Sequence, residues 1–158
     1  MEKFARILIL PLLVICAGCS TVQIPNYIPA PDNPLVRKFY SPYDQVVQTV
    51  KMVLAKQGYA IESSNDPSLY ERSAFADQPG FHQVLLFTPI HQSSRIIYTR
   101  YTHLNVFIRS VSDGAEVEIR SSSTNSVLFK QFRRNRNDKL VKRLLDQIER
   151  QLLSSKLP

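Results

Sequence analysis

The sequence predicts an α+β domain: an antiparallel sheet of about four to six strands with two amphipathic helices packed on one face. Three observations carry that expectation. Apolar residues recur at spacings of three and four over about 42–57 and again over about 137–154, the period of a helix with one buried stripe. Between these stretches the pattern changes to alternation on either side of Ser112-Asp113-Gly114, which marks a hairpin. The length of 158 residues, 44% hydrophobic and 21% charged, supplies one core and little room for a second.

A strand is expected over about 35–40. Ser41-Pro42-Tyr43-Asp44 then opens the first helix, with Ser at the N-cap, Pro at the first position and an acid near the positive end of the dipole. Tyr43, Val46, Val47, Val50, Val53 and Leu54 form its apolar stripe, and Gly58 supplies a left-handed stop. A short strand over 59–63 ends in the turn cluster Ser64-Asn65-Asp66-Pro67. A second includes Leu69 to Phe75, and a third runs from Gln83 to Pro89. In the hairpin, Leu104, Val106 and Ile108 alternate with Asn105, Phe107 and Arg109, and Ala115, Val117 and Ile119 alternate with Glu116, Glu118 and Arg120. One face is thus mostly polar, so the sheet is expected to be covered on one side only, with Glu116 and Glu118 solvated. Ser121 to Ser123 read as a polar turn before a last strand over Val127 to Phe132. Leu140, Val141, Leu144, Leu145, Ile148 and Leu152 mark the second helix, and Asp138 suits its positive end.

The four glycines form neither a G-x-G-x-x-G nor a G-x-x-x-x-G-K pattern, which argues against a nucleotide-dependent enzyme. A net charge of +7 points to nucleic acid, an anionic membrane or an acidic partner. The N-terminus chooses among them. Lys3 and Arg6 precede an apolar run from Ile7 to Ile15 that ends in Ala17 and Gly18, the layout of an export signal. That run is shorter than the roughly 20 residues a bilayer span requires. Leu13-Val14-Ile15-Cys16-Ala17-Gly18-Cys19 resembles the lipobox of bacterial lipoproteins, although Cys16 departs from the Leu, Val or Ile preferred at its place. The resemblance implies acylation of Cys19, and Ser20 in place of Asp implies the outer membrane, facing the periplasm. Nucleic acid is then not an expected partner.

The expected organisation is a signal peptide over 1–18, a lipidated Cys19 with a proline-rich tether over 19–34, and a single α+β domain over 35–158. Pro25, Pro29, Pro31 and Pro34 make the tether extended, so that the domain stands off the membrane. After removal of the signal, Cys19 is the one cysteine left, so no internal disulfide is expected.

The order strand, helix, antiparallel strands, helix resembles the helix-grip domains of BamC, an accessory lipoprotein of the outer-membrane β-barrel assembly machinery. Ser41-Pro42-Tyr43-Asp44-Gln45 and Gly58-Tyr59-Ala60-Ile61-Glu62 carry the local likeness. The lipopolysaccharide-transport lipoprotein LptE is similar in placing two helices on a sheet, but its Cys-Gly opening is missing here. Such a fold does not itself carry a function.

Candidate chemistry is sparse. His82, His91 and His103 lack metal-ligand spacing, no Ser lies in a nucleophile elbow, and no cofactor, metal or catalytic constellation is expected. Arg133, Arg134, Arg136 and Lys139, ahead of and at the start of the second helix, are a solvated face or an anion site for lipid phosphate, lipopolysaccharide or an acidic protein. Tyr98, Arg100 and Tyr101 form an aromatic and basic stripe, either a partner-binding strand edge or an ordinary half-buried strand. The leading expectation is a non-catalytic accessory module of an envelope assembly or secretion complex. Its rival is a carrier or binder of lipid or lipopolysaccharide with a groove between helix and sheet.

Overall fold

The computed structural model describes residues 24–71, 81–94, 96, 98–127, 130–134 and 136–155, the side chains of 127 and 130–134 excepted. The expected signal peptide, Cys19 and residues 72–75 of the second short strand lie outside the described residues. The elements are β1 (Val36–Phe39), α1 (Tyr43–Lys56), β2 (Ser63–Asn65), a 3-10 turn (Pro67–Leu69), β3 (Gln83–Phe87), β4 (His91–Ser94), β5 (Thr99–Val111), β6 (Gly114–Val127), β7 (Lys130–Arg134) and α2 (Asp138–Ser154).

The fold is the expected α+β arrangement, with all strand pairs antiparallel. Its seven strands follow the path β1-β6-β5-β3-β2, with β4 also on β5 and β7 also on β6. The extra strands arise because the central ribbon is long. β5 pairs with β3 through residues 105–109 and with β4 through 99–102, while β6 pairs with β1 through 115–118 and with β7 through 123–127. Ser121, Ser122 and Ser123 are therefore buried mid-strand residues of β6 and not a turn. The segment expected to begin a second short strand at Leu69 instead ends a 3-10 turn, capped by the Asp66 side chain on the Ser68 N–H at 2.9 Å.

Both helices lie where periodicity placed them, and one cap differs. α1 begins at Tyr43 with Pro42 at the N-cap and no side-chain cap, while Ser41 is buried. Gly58 has φ +80°, the left-handed conformation that ends α1. Asn137 caps α2 by accepting from the Leu140 N–H at 3.2 Å. Val46, Val50 and Leu54 of α1 and Leu140, Leu144 and Ile148 of α2 form one cluster with Leu104, Val106, Ile108, Val117 and Ile119 of the sheet.

The opposite face is not open. Residues of the proline-rich segment cross it as an irregular strap, with Ile28 buried and Tyr27 packed on Leu85, Phe87 and Phe107. The expectation of a sheet covered on one side, with a tether leading away from it, is corrected from Ile24 onward. Glu118, expected at a solvated surface, is only 3% exposed beneath this cover, and His103 is 2% exposed.

Candidate functional site

The strap is held by backbone groups that proline leaves available. Ile28 N–H donates to Asn105 Oδ1 at 2.6 Å, and Asn105 Nδ2 donates to the Asn26 carbonyl at 2.9 Å. His103 Nε2 also contacts that carbonyl at 2.7 Å. Arg120 is the centre of the arrangement. Its guanidinium donates to Glu118 at 2.6 Å, to both oxygens of Glu71 at 2.6 and 3.0 Å, and to the Ile28 carbonyl at 3.1 Å, while resting 3.9 Å from the Phe107 ring centroid. Arg109 donates to the second Glu118 oxygen at 3.0 Å, so two cations face two carboxylates. Burial works against the Arg120 charge, but the Glu71 and Glu118 contacts more than offset it and hold the group protonated. Hydrogen bonds from Arg120 keep the Glu71 carboxyl below its ordinary value. Burial, aided by the Glu71 contact, pushes the Tyr27 phenol up to about 12. Every charge in the set has a partner, and its role is to fix the strap.

A different arrangement occupies the end of the domain where α1 stops and α2 starts. A cleft of about 400 Å³ is lined by Arg100, Lys139, Arg143, His91 and Tyr59, with Asn137 at its margin. No Asp or Glu lines it, and none of the three cations joins an ion pair among the described residues. Gly58 turns the chain out of α1 and sets Tyr59 beside His91, with ring centroids 5.0 Å apart. Burial raises the Tyr59 phenol, and Arg143 and Arg100 pull it the other way, which places both guanidiniums in electrostatic reach of one hydroxyl. The positive end of the α2 dipole adds to the same potential. These groups are suited to binding a phosphate or carboxylate.

A third feature is a cavity of about 340 Å³ at the outer edge of β6, between the strap and the first turn of α2. Pro25, Ile28, Pro31, Leu35, Ile119 and Val141 make it largely apolar. Thr88 N–H donates to the Leu104 carbonyl and Ser110 N–H to the His82 carbonyl, so even-numbered β5 residues turn their backbone groups toward β3. The register then points the backbone groups of Ser121 outward, in the gap between β1 and β7. Ser122 also lines the cavity, and its Oγ is buried without a partner among the described residues.

The structure divides the expected sites. Lys139 joins the cationic cleft, whereas Arg136 pairs with Asp138 on the wall of the apolar cavity. Arg133 and Arg134 belong to β7, opposite Thr124 and Ser123, and so are strand residues and not a pre-helix cluster. Arg100 enters the cleft, stacked 5.7 Å from the Tyr98 ring and bonded to Asn125 at 3.0 Å. Tyr98, Arg100 and Tyr101 are half-buried, and β5 is paired on both sides, by β4 and β6, so the reading as a partner-binding edge is corrected. Arg143 follows Lys139 by four residues on α2, one turn along the same face; sequence reasoning missed His91 and Arg100 as their companions, because β4 and β5 bring these from distant parts of the chain. It also missed Arg120, Glu118 and Glu71; the available signal was Tyr27-Ile28, two large apolar residues inside a proline-rich stretch.

The site thus defines a two-layer α+β domain with a cationic cleft at one end of its helix pair. Compared with protein-family models, curated proteins and solved structures, the chain matches none.

Proposed function

We propose that this chain is a non-catalytic lipoprotein of the bacterial outer membrane, anchored through acyl chains on Cys19 and facing the periplasm. Its cleft binds an anionic group, and it serves as an accessory module of an envelope assembly or secretion complex. The observation that supports this reading most is the convergence of Arg100, Lys139 and Arg143 on one cleft without a carboxylate. Structural ion pairs, such as those of Arg120, bring their counter-ions with them; a binding site leaves that position for the ligand. The test is co-sedimentation of the chain from Ser20 onward, without signal or acyl chains, with phosphatidylglycerol vesicles or lipopolysaccharide across a salt series. Wild-type chain is expected to bind at low salt and release as screening shortens to about 8–10 Å near physiological ionic strength. Lys139→Gln with Arg143→Gln is expected to bind weakly at every salt concentration, and coincident curves would sink the anion-site reading.

The rival role, a lipid carrier, draws support from the β6-edge cavity and not from a helix-sheet groove, since aliphatic side chains fill that interface. The outward-facing backbone of Ser121 on this wall favours a ligand that carries an amide-like donor and acceptor beside its apolar part over bare hydrocarbon. Saturable binding of an N-acyl amino acid, with none of a fatty acid of equal length, is the expected signature.

A further inference from the structure

We infer that the strap makes the lipid anchor a short leash, holding the α2-start end of the domain against the leaflet that carries Cys19, so that the cleft takes headgroup phosphates of that same leaflet. This inference rests on the proposed acylation of Cys19. Pro25, near the start of the strap, shares a cavity wall with Arg136 and Asp138 of the α2 start. From Cys19 to Pro25 is a distance of six residues along the chain, which reach at most about 20 Å whatever their conformation. The first turn of α2 stands between that cavity and the cleft, with Asp138 lining one and Lys139 and Arg143 the other. A helix with its side chains is about 10–12 Å across, so the cleft falls within reach of the anchored surface.

The opposite end is farther. The cavity wall shared with Pro25 includes Ile119 to Ser122 of β6, five to eight residues from Gly114, and at about 3.3 Å per residue the Ser112-Asp113 turn lies roughly 15–25 Å from the leash, against one helix width for the cleft. Charge runs the same way. Toward the turn, Lys38 pairs with Asp113 at 2.9 Å, and Arg37 pairs with Asp146 and Glu149 at 2.8 and 3.0 Å. At the leash end, Arg100, Lys139 and Arg143 have no carboxylate partner among the described residues. Arg136, paired with Asp138, also stands at the leash, so what the leash brings toward an anionic surface is the cleft's own cations, which have no carboxylate partner among the described residues, whereas Lys38 and Arg37 are paired and stand farther off.

The test uses the full acylated chain in vesicles containing phosphatidylglycerol. On the proposed processing Cys16 leaves with the signal and Cys19 is acylated, so a fluorophore can be placed on Gln92→Cys in β4 or on Ser112→Cys at the turn. Both native residues are exposed. Nitroxide carried on lipid headgroups is expected to quench the label at 92 several-fold more than the label at 112. That contrast is expected to shrink in phosphatidylcholine vesicles and in Lys139→Gln with Arg143→Gln. A flexible Gly-Ser insertion of about 12 residues after Ser20, adding roughly 20 Å of reach, is expected to reduce it as well. Equal quenching at the two positions, or a contrast indifferent to lipid charge and to the insertion, overturns the inference. Clickable fatty-acid labelling of the same preparations separates the failures. Without label on Cys19 the anchoring reading and the leash fall together, whereas label with equal quenching removes the leash alone.

Discussion

On one face of the sheet, Val50, Leu54, Leu144 and Ile148 bring aliphatic side chains from two helices onto Leu104, Val106 and Val117. On the other, Tyr27 and Ile28 of an irregular strap lie over Arg120, Glu118 and Asn105. The first cover is non-directional: each buried methylene contributes about 0.8 kcal/mol, and neighbours relax partly when one is lost. The second is directional and mutual. A strap without helix or strand bonds needs side chains to satisfy its backbone, and those side chains need one another once water is excluded. The same sheet therefore has one face that tolerates repacking and one whose members depend on each other.

The sharpest way to break this comparison is Arg120→Ala. It leaves Glu118 buried with one partner fewer and frees the Ile28 carbonyl, and a loss of about 3–5 kcal/mol is expected by urea unfolding. A loss below that of a single aliphatic truncation would show the network to be dispensable. On the helix face, Leu144→Ala is expected to cost about 2–5 kcal/mol, and Val50→Ala less, through cavities beneath α2 and α1. Neutral urea melts for both would show that the helices do not carry this core.

Acid titration sharpens the contrast further. Because Arg120 holds the Glu71 carboxyl below its ordinary value, Glu71 contributes stability above the unfolded-state value of about 4.3 and loses it as pH falls through the lower folded value. The wild-type chain is thus expected to weaken on acidification below about pH 4, with hydrogen exchange rising first at Ile28. Glu71→Gln is expected to flatten that dependence, and an unchanged acid slope would rule Glu71 out as its source. The smallest effect is expected at the cleft, where Lys139→Gln with Arg143→Gln removes two exposed cations that join no ion pair among the described residues. Stability is expected to stay within about 0.5 kcal/mol of wild type while anion binding falls. A large loss of stability would make the cleft part of the scaffold.

Both helices and the central hairpin were legible because their signals are local. Val46, Val50 and Leu54 repeat within one turn of one another, and Leu104 to Arg109 alternate within one strand, so burial on a single face follows from spacing alone. The same alternation misled at Glu118. A polar residue on a strand has the same pattern whether water or a strap lies above it. Likewise, Ser121 to Ser123 carry turn-forming residue types, yet pairing with Leu104, Thr102 and His103 on β5 keeps them in the ladder.

By itself the sequence determined the α+β class, the two amphipathic helices, the stop at Gly58 and the hairpin at Ser112-Asp113, since each depends on backbone preferences and periodicity over a few residues. Only the tertiary structure decided that a proline-rich stretch is a strap, that Arg120 is a buried hub, and that Lys139 and Arg143 of α2 share a cleft with Arg100 and His91. Ile28 meets Asn105 across 77 positions of sequence and Arg120 across 92. Contacts over such separations arise from how the long β5-β6 ribbon brings distant segments to its two faces and its ends, and no periodicity in the chain encodes them.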